Sequence, residues 1–245
     1  MRTISLWQPW ATLVAIGAKR FETRSWRSDH FGPVAIHATK GFGKLGDGRP
    51  FTVDDCAALC ASEPFRSALA AAGIGGVDDL PFGKVLAVGI VAASIRIPHA
   101  PARFAPVPGR SWQWEPAAGH YNLSPGRVEQ VPPPDPERSF GDYTPGRFAW
   151  LLSDVTRLRE PVKAQGGRKF WTWDDAEAAD AIVGLDVAPR IRQAIEAGIA
   201  EGTPATKTAK RATATPPRPP PGQPRAGAQL RLFAPTPARK AVWRG

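Results

Sequence analysis

Two cysteines, one methionine and two tyrosines are few for a chain of 245 residues. Long apolar runs are missing too: the longest clean one, Val85–Ala93, falls well short of the ~20 residues that span a bilayer. Each scarcity closes off a class. Cys56 and Cys60 stand one helical turn apart with no histidine close in sequence, so they read as small buried hydrophobes, and neither a metal site nor a disulfide framework is expected. The apolar residues 11–18 follow a Trp-Gln-Pro-Trp segment instead of a basic leader, which is unlike a signal peptide. The expectation is a cytoplasmic protein with no membrane partner, no metal and no cofactor. Acids are scarce in one region above all. Beyond residue 200 the sole acid, Glu201, faces nine lysines and arginines, which leaves about +2 of the chain's net +10 for residues 1–200. That region also holds nine prolines and little periodic apolar content, so 201–245 is expected to be a disordered cationic arm after one folded domain, 1–200.

What is present organises that domain. Thr3–Trp7 reads as a strand, Pro9 suits the first turn of a helix reaching Ile16, and Gly17 ends it. Phe21–Trp26 and Pro33–Ala38 read as the next two strands, and Thr52 with Asp54 and Asp55 opens a helix running to about Ala72. Lys84–Ile97 is long and β-branched, a buried strand with a bend or bulge at Gly89. Pro98–Pro136 contains ten prolines and reads as an irregular insertion carrying Trp112, Trp114 and Tyr121. Strands at Phe148–Val155 and Phe170–Trp173 follow, then helices near 174–182 and 188–197. Short strands, few helices and Gly/Pro-rich connections suggest an α+β fold, a small, partly open β-barrel with helices packed on it.

The stretch Gly17–Trp26 concentrates the polar chemistry. In a strand, residues two apart share a face, so Arg20, Glu22, Arg24 and Trp26 line one side while Phe21, Thr23 and Ser25 line the other. A carboxylate between two cations either serves a salt-bridged exposed strand or holds one guanidinium in place for a phosphate or carbonyl. The surrounding text narrows the choice. Ser5–Ala11 (SLWQPWA), then GAKRFETRSW, Gly32–Ala38, Gly83–Val91 and Phe140–Leu152 (FGDYTPGRFAWLL) together resemble the ASCH family, the activating-signal-cointegrator homology domains, over roughly residues 2–175.

The resemblance implies a PUA-like β-barrel whose cleft, beside the first helix, receives RNA, other nucleic acid or a nucleotide-like ligand. Lys19, Glu22 and Arg24 match the family's G-x-K-x-x-E-x-R motif. Some members are reported as ribonucleases, and one bacterial branch deacetylates acetylated cytidine with a lysine, a threonine and a distant glutamate. Here Glu22 stands where that threonine belongs and Thr23 is one residue off, which counts against deacetylation. For a metal-free hydrolase, Lys19 with a lowered pKa and Glu22 as general base are the candidates. For a binder, Lys19 and Arg24 neutralise phosphate and Glu22 accepts from a base amino group.

Further candidates surround that core. Gln8 and Trp10 open the first helix, where the amide suits a base edge and the indole suits stacking or core packing. Arg147 opens a later strand and either counters Glu22, binds phosphate or stays solvated. His37 has no nucleophile next to it in sequence and reads as a satisfied histidine, and Trp171 and Trp173 read as core. In the arm, Gln229, Leu230, Leu232 and Phe233 form QLRLF, which resembles the peptide that docks on the bacterial DNA sliding clamp, with leucine and phenylalanine as anchors.

Overall fold

Strands and helices run through residues 1–45, 47–104 and 129–200, the parts of the chain that the computed structural model describes. β1 (Arg2–Leu6), α1 (Trp10–Ala15), β2 (Phe21–Arg24) and β3 (Gly32–Ala38) come in the expected order. Gly17, with φ +79°, turns the chain out of α1 in a conformation that a Cβ would penalise. α2 (Val53–Ala61) starts on a reciprocal cap: the Thr52 hydroxyl accepts from the Asp55 N–H, and the Asp55 carboxylate accepts from the Thr52 N–H at 2.8 Å. The single helix expected to Ala72 is in fact two. Pro64 has no N–H to continue the ladder, so α2 stops at Ala61 and α3 (Phe65–Ala70) restarts beyond the proline.

β4 (Lys84–Arg96) pairs antiparallel with the later strand β7 (Phe148–Lys163), which runs past the expected Val155 because Thr156–Lys163 pairs with the first half of β4. The register slips on both sides of Gly89, and a Cβ there would lie 3.0 Å from Val155 Cγ2, so the bulge expected at this glycine is present. The Pro-rich region is less irregular than expected. β5 (Ala102–Phe104) and β6 (Glu129–Val131) form a two-stranded ladder at its ends, and a 3-10 turn follows at Glu137–Phe140. Trp112, Trp114 and Tyr121 lie outside the described residues, as does everything beyond residue 200. β8 (Phe170–Thr172), α4 (Asp175–Ala181) and α5 (Pro189–Ala200) complete the order.

Six strands form one sheet in the order β2-β7-β4-β3-β1-β8, with β1 and β3 parallel and every other neighbour antiparallel. The sheet curls until its two ends face each other. Arg24 Nη2 of β2 donates to the Ser5 carbonyl of β1 at 3.1 Å, and Trp26 meets Phe170 of β8 edge to face at 6.0 Å. The result is the expected small barrel of an α+β domain, open along a seam between β2 and β8. Ile4, Leu6, Val34, Ile36, Val91, Trp150 and Leu152 form one core with Ala11 and Val14 of α1. Each large apolar side chain so buried stabilises the fold by about 1.5–3 kcal/mol. A second core sets α4 and α5 on Val85, Val88 and Leu158, and a third packs α2 and α3 against Leu13 of α1. Among the described residues no helix is long and apolar enough to cross a membrane.

Candidate functional site

Among the described residues β2 is an edge strand, paired with β7 on one side only. The Leu152 N–H donates to the Arg20 carbonyl, so the backbone groups of Phe21 turn to the other edge, where no strand among the described residues meets them. Side chains take the missing strand's place. Glu137 Oε1 accepts from the N–H groups of Arg20 (2.6 Å) and Phe21 (2.8 Å), and the Lys19 ammonium donates to the Phe21 carbonyl. Glu137 Oε2 and Glu129 Oε1 also hold the Arg20 guanidinium, at 3.3 and 3.1 Å. Arg20 is thereby committed to the two glutamates, away from the Glu22–Arg24 pair.

The expected row of head groups does converge. Lys19 Nζ lies 3.8 Å from Glu22 Oε2, and Glu22 Oε1 lies 2.8 Å from Arg24 Nε. Side-chain exposure climbs along the row, 1 % at Lys19, 10 % at Glu22 and 29 % at Arg24, so it leads from the interior to water. Burial pushes the Lys19 pKa below that of a free lysine; Glu22 and then Glu137 oppose the shift, and Arg24 adds to it. A carboxylate has more acceptor positions than its two cations occupy, and the partly exposed guanidinium keeps donors for an anion. An amine that loses its proton more readily than usual serves as base or nucleophile.

A loop beyond the Glu137–Phe140 turn closes over Lys19. A Cβ on Gly141 would lie 2.8 Å from Tyr143 Cε2, 3.1 Å from Thr23 Cγ2 and 3.3 Å from Lys19 Nζ, so only glycine fits this contact. The Asp142 N–H donates to Thr23 Oγ1 at 3.1 Å, which engages the threonine hydroxyl away from the Glu22 side. Burial, with Glu137 and Glu22, raises the Tyr143 phenol's pKa, and its hydroxyl finds no acceptor among the described residues. Nor does Nε1 of Trp150, which faces Glu22 across the β2–β7 pairing.

The other expected site residues turn elsewhere. Gln8 is fully buried; its Nε2 donates to the Pro81 carbonyl at 3.0 Å, and its Oε1 accepts from the Thr12 N–H and hydroxyl. It caps α1. Trp10 packs on Phe51 and Phe65, ring centroids 5.7 and 6.4 Å away, wedged between α1 and the α2–α3 lobe. Arg147 lies 3.2 Å from Asp142, so its counter-ion is on the loop and is not Glu22. Gln229, Leu230, Leu232 and Phe233 lie outside the described residues. His37 has a partner that the sequence conceals: Ser5 Oγ is 3.1 Å from its Nδ1, with the Ala164 carbonyl 3.2 Å from its Nε2 and burial lowering its pKa. Gly166 packs tightly over that pair, as expected of a satisfied histidine. Trp173 is core, as expected, and donates to Glu177. Glu129 and Glu137 escaped sequence reasoning because they stand more than a hundred residues from Arg20 in a proline-rich region that reads as loop. Gly141 and Tyr143 were visible only as members of the FGDYTPG stretch.

Comparison with known proteins bears on this geometry. The structure of ASCH from Zymomonas mobilis is similar at 16 % identity, covering 75 % of this chain and 94 % of its own, with a TM-score of 0.33. No curated protein matches the chain. A family model described as the ASCH domain matches residues 4–100, which takes in β1, α1, β2 and the Lys19–Glu22–Arg24 row but stops before Glu129, Glu137 and the Gly141–Tyr143 loop. By that match residues 4–100 are similar to the ASCH domain.

Proposed function

We propose that the chain binds RNA or a nucleotide-like ligand through the Lys19–Glu22–Arg24 row. The observation that carries this reading is the convergence of three charged head groups on one strand edge with graded access to water. Arg24, the most exposed of the three, meets the phosphate. Glu22, set between two cations, accepts from a base amino group, and Lys19 holds Glu22 in place from within. The ASCH-domain match over residues 4–100 supports a nucleic-acid ligand. Fluorescence anisotropy of labelled (U)8 with the full chain tests the reading. Arg24→Ala is expected to weaken binding roughly ten-fold and to lower the slope of log K against log salt by about 0.7, the value for one phosphate contact on a single strand. Unchanged affinity and slope would remove the row from the binding surface.

A second reading, a metal-free hydrolase acting on RNA or a modified nucleoside, draws support from the lowered pKa of Lys19 beside a carboxylate. Turnover of RNA or acetylated cytidine that survives chelator and is lost in Lys19→Ala would establish it. Binding without turnover returns the protein to the first reading.

A further inference from the structure

Along the seam between β2 and β8 the concave face carries rings where backbone pairing stops. Trp26 meets Trp150 edge to face, centroids 4.6 Å apart, and Phe170 stacks on Trp150 at 5.4 Å with planes 11° apart. His30 meets Phe170 at 5.2 Å. Trp150 is fully buried beneath this group, whereas Trp26, His30 and Phe170 are each partly open to solvent. Their opening is lined with cations. Lys169 Nζ stands 5.9 Å from the centre of the Trp26 ring, and exposed Arg2 lies near enough to His30 to act on it electrostatically, as does one acid, Asp29. Lys169 takes φ +53°, a left-handed conformation that costs energy for any residue with a Cβ.

The seam is continuous with the charged row. Trp150 is the cross-strand partner of Glu22, so their side chains share a face, and Trp26 touches Trp150 two residues beyond Arg24. Partly exposed rings flanked by cations suit a base stacked on the ring with phosphates on the cations, the pattern of single-strand binding surfaces. We infer that Trp26, Phe170 and His30, with Lys169 and Arg2, form a second nucleotide position next to the Lys19–Glu22–Arg24 row. The site then takes a single-stranded oligonucleotide in preference to a free nucleotide. This inference rests on the nucleic-acid reading above and extends it to strand length and direction: the chain of nucleotides leaves Arg24 toward β8.

The test uses the full chain with fluorescein-labelled (U)8 and (dT)8, and UMP as competitor. Either oligonucleotide is expected to bind at least ten-fold tighter than UMP, and a gap between the two tells which sugar the seam takes. Trp26→Ala is expected to weaken (U)8 roughly ten-fold or more, the usual loss for one stacked base. Trp26→Phe keeps a ring against Trp150 and restores most of the affinity, which separates stacking from packing damage. Lys169→Glu alters an exposed side chain and is expected to weaken (U)8 and to flatten its salt dependence. If Arg24→Ala abolishes binding while Trp26→Ala and Lys169→Glu change nothing, the second position is overturned and the first stands. If all three variants bind (U)8 like the parent, both fall.

Discussion

Lys19 takes a potential positive charge into a place where only 1 % of its side chain meets water, between Glu22 and the Gly141 loop. Desolvation there lowers its pKa from 10.5, and the folded chain therefore gives up this proton at a lower pH than the unfolded chain does. Between the lowered value and 10.5 the unfolded state holds more protons, so stability rises with pH through that window and is lost as pH falls through it. Lys19→Met removes the effect. Denaturation midpoints of parent and variant between pH 7 and 10 are expected to diverge, with the parent gaining stability relative to Lys19→Met as pH rises; parallel curves would mean that the amine is as well solvated as a free lysine. Tyr143, whose pKa is raised, works in the opposite sense above pH 10, which is why the comparison stops there. At this scale the sequence was informative about half the site. Strand alternation puts Arg20, Glu22 and Arg24 on one face, and only the G-x-K-x-x-E-x-R resemblance adds Lys19; Arg20 turns to Glu129 and Glu137, while the head groups of Lys19, Glu22 and Arg24 meet. Gln8 and Trp10 do not join them, because proximity along the chain says nothing about which way an amide or an indole at a helix start will turn.

The element that organises the site is the open edge of β2. An unpaired strand edge leaves backbone groups unmet, and here Glu137 satisfies two N–H groups and Lys19 one carbonyl. Glu137→Ala strands both donors at a buried edge and frees Arg20 to compete for Glu22. A loss of about 3 kcal/mol in unfolding free energy is expected, read by urea denaturation, with Glu137→Gln intermediate because one acceptor remains. Stability within about 0.5 kcal/mol of the parent would show that solvent can replace the carboxylate. Elements with strong local signals were legible: β1, α1, β3, β4 and its bulge at Gly89 follow from alternation, caps and glycine. The break at Pro64 was missed, although a proline has no N–H with which to continue a helix. β7 outran its expected end because Asp154–Lys163 is polar on one face, and only pairing with β4 shows it to be strand. Long-range pairing is what a linear pattern cannot display.

Across the whole molecule, charge and shape divide the labour. Residues 1–200 carry little net charge, and the described part of them builds a barrel with a seam between β2 and β8, while residues 201–245 hold most of the positive charge. The positive charge of residues 201–245 attracts any polyanion, so affinity alone cannot distinguish a specific site from general attraction. Location can. Ultraviolet cross-linking of the full chain to a 4-thiouridine-containing (U)8, followed by peptide mass spectrometry, reads where the strand lies. If the head groups on β2 and the rings beside them hold the nucleic acid, cross-links fall in peptides containing residues 19–30 and 169–172 and vanish in Arg24→Ala. Cross-links confined to residues 201–245, unaltered by that substitution, would contradict a binding site on the barrel.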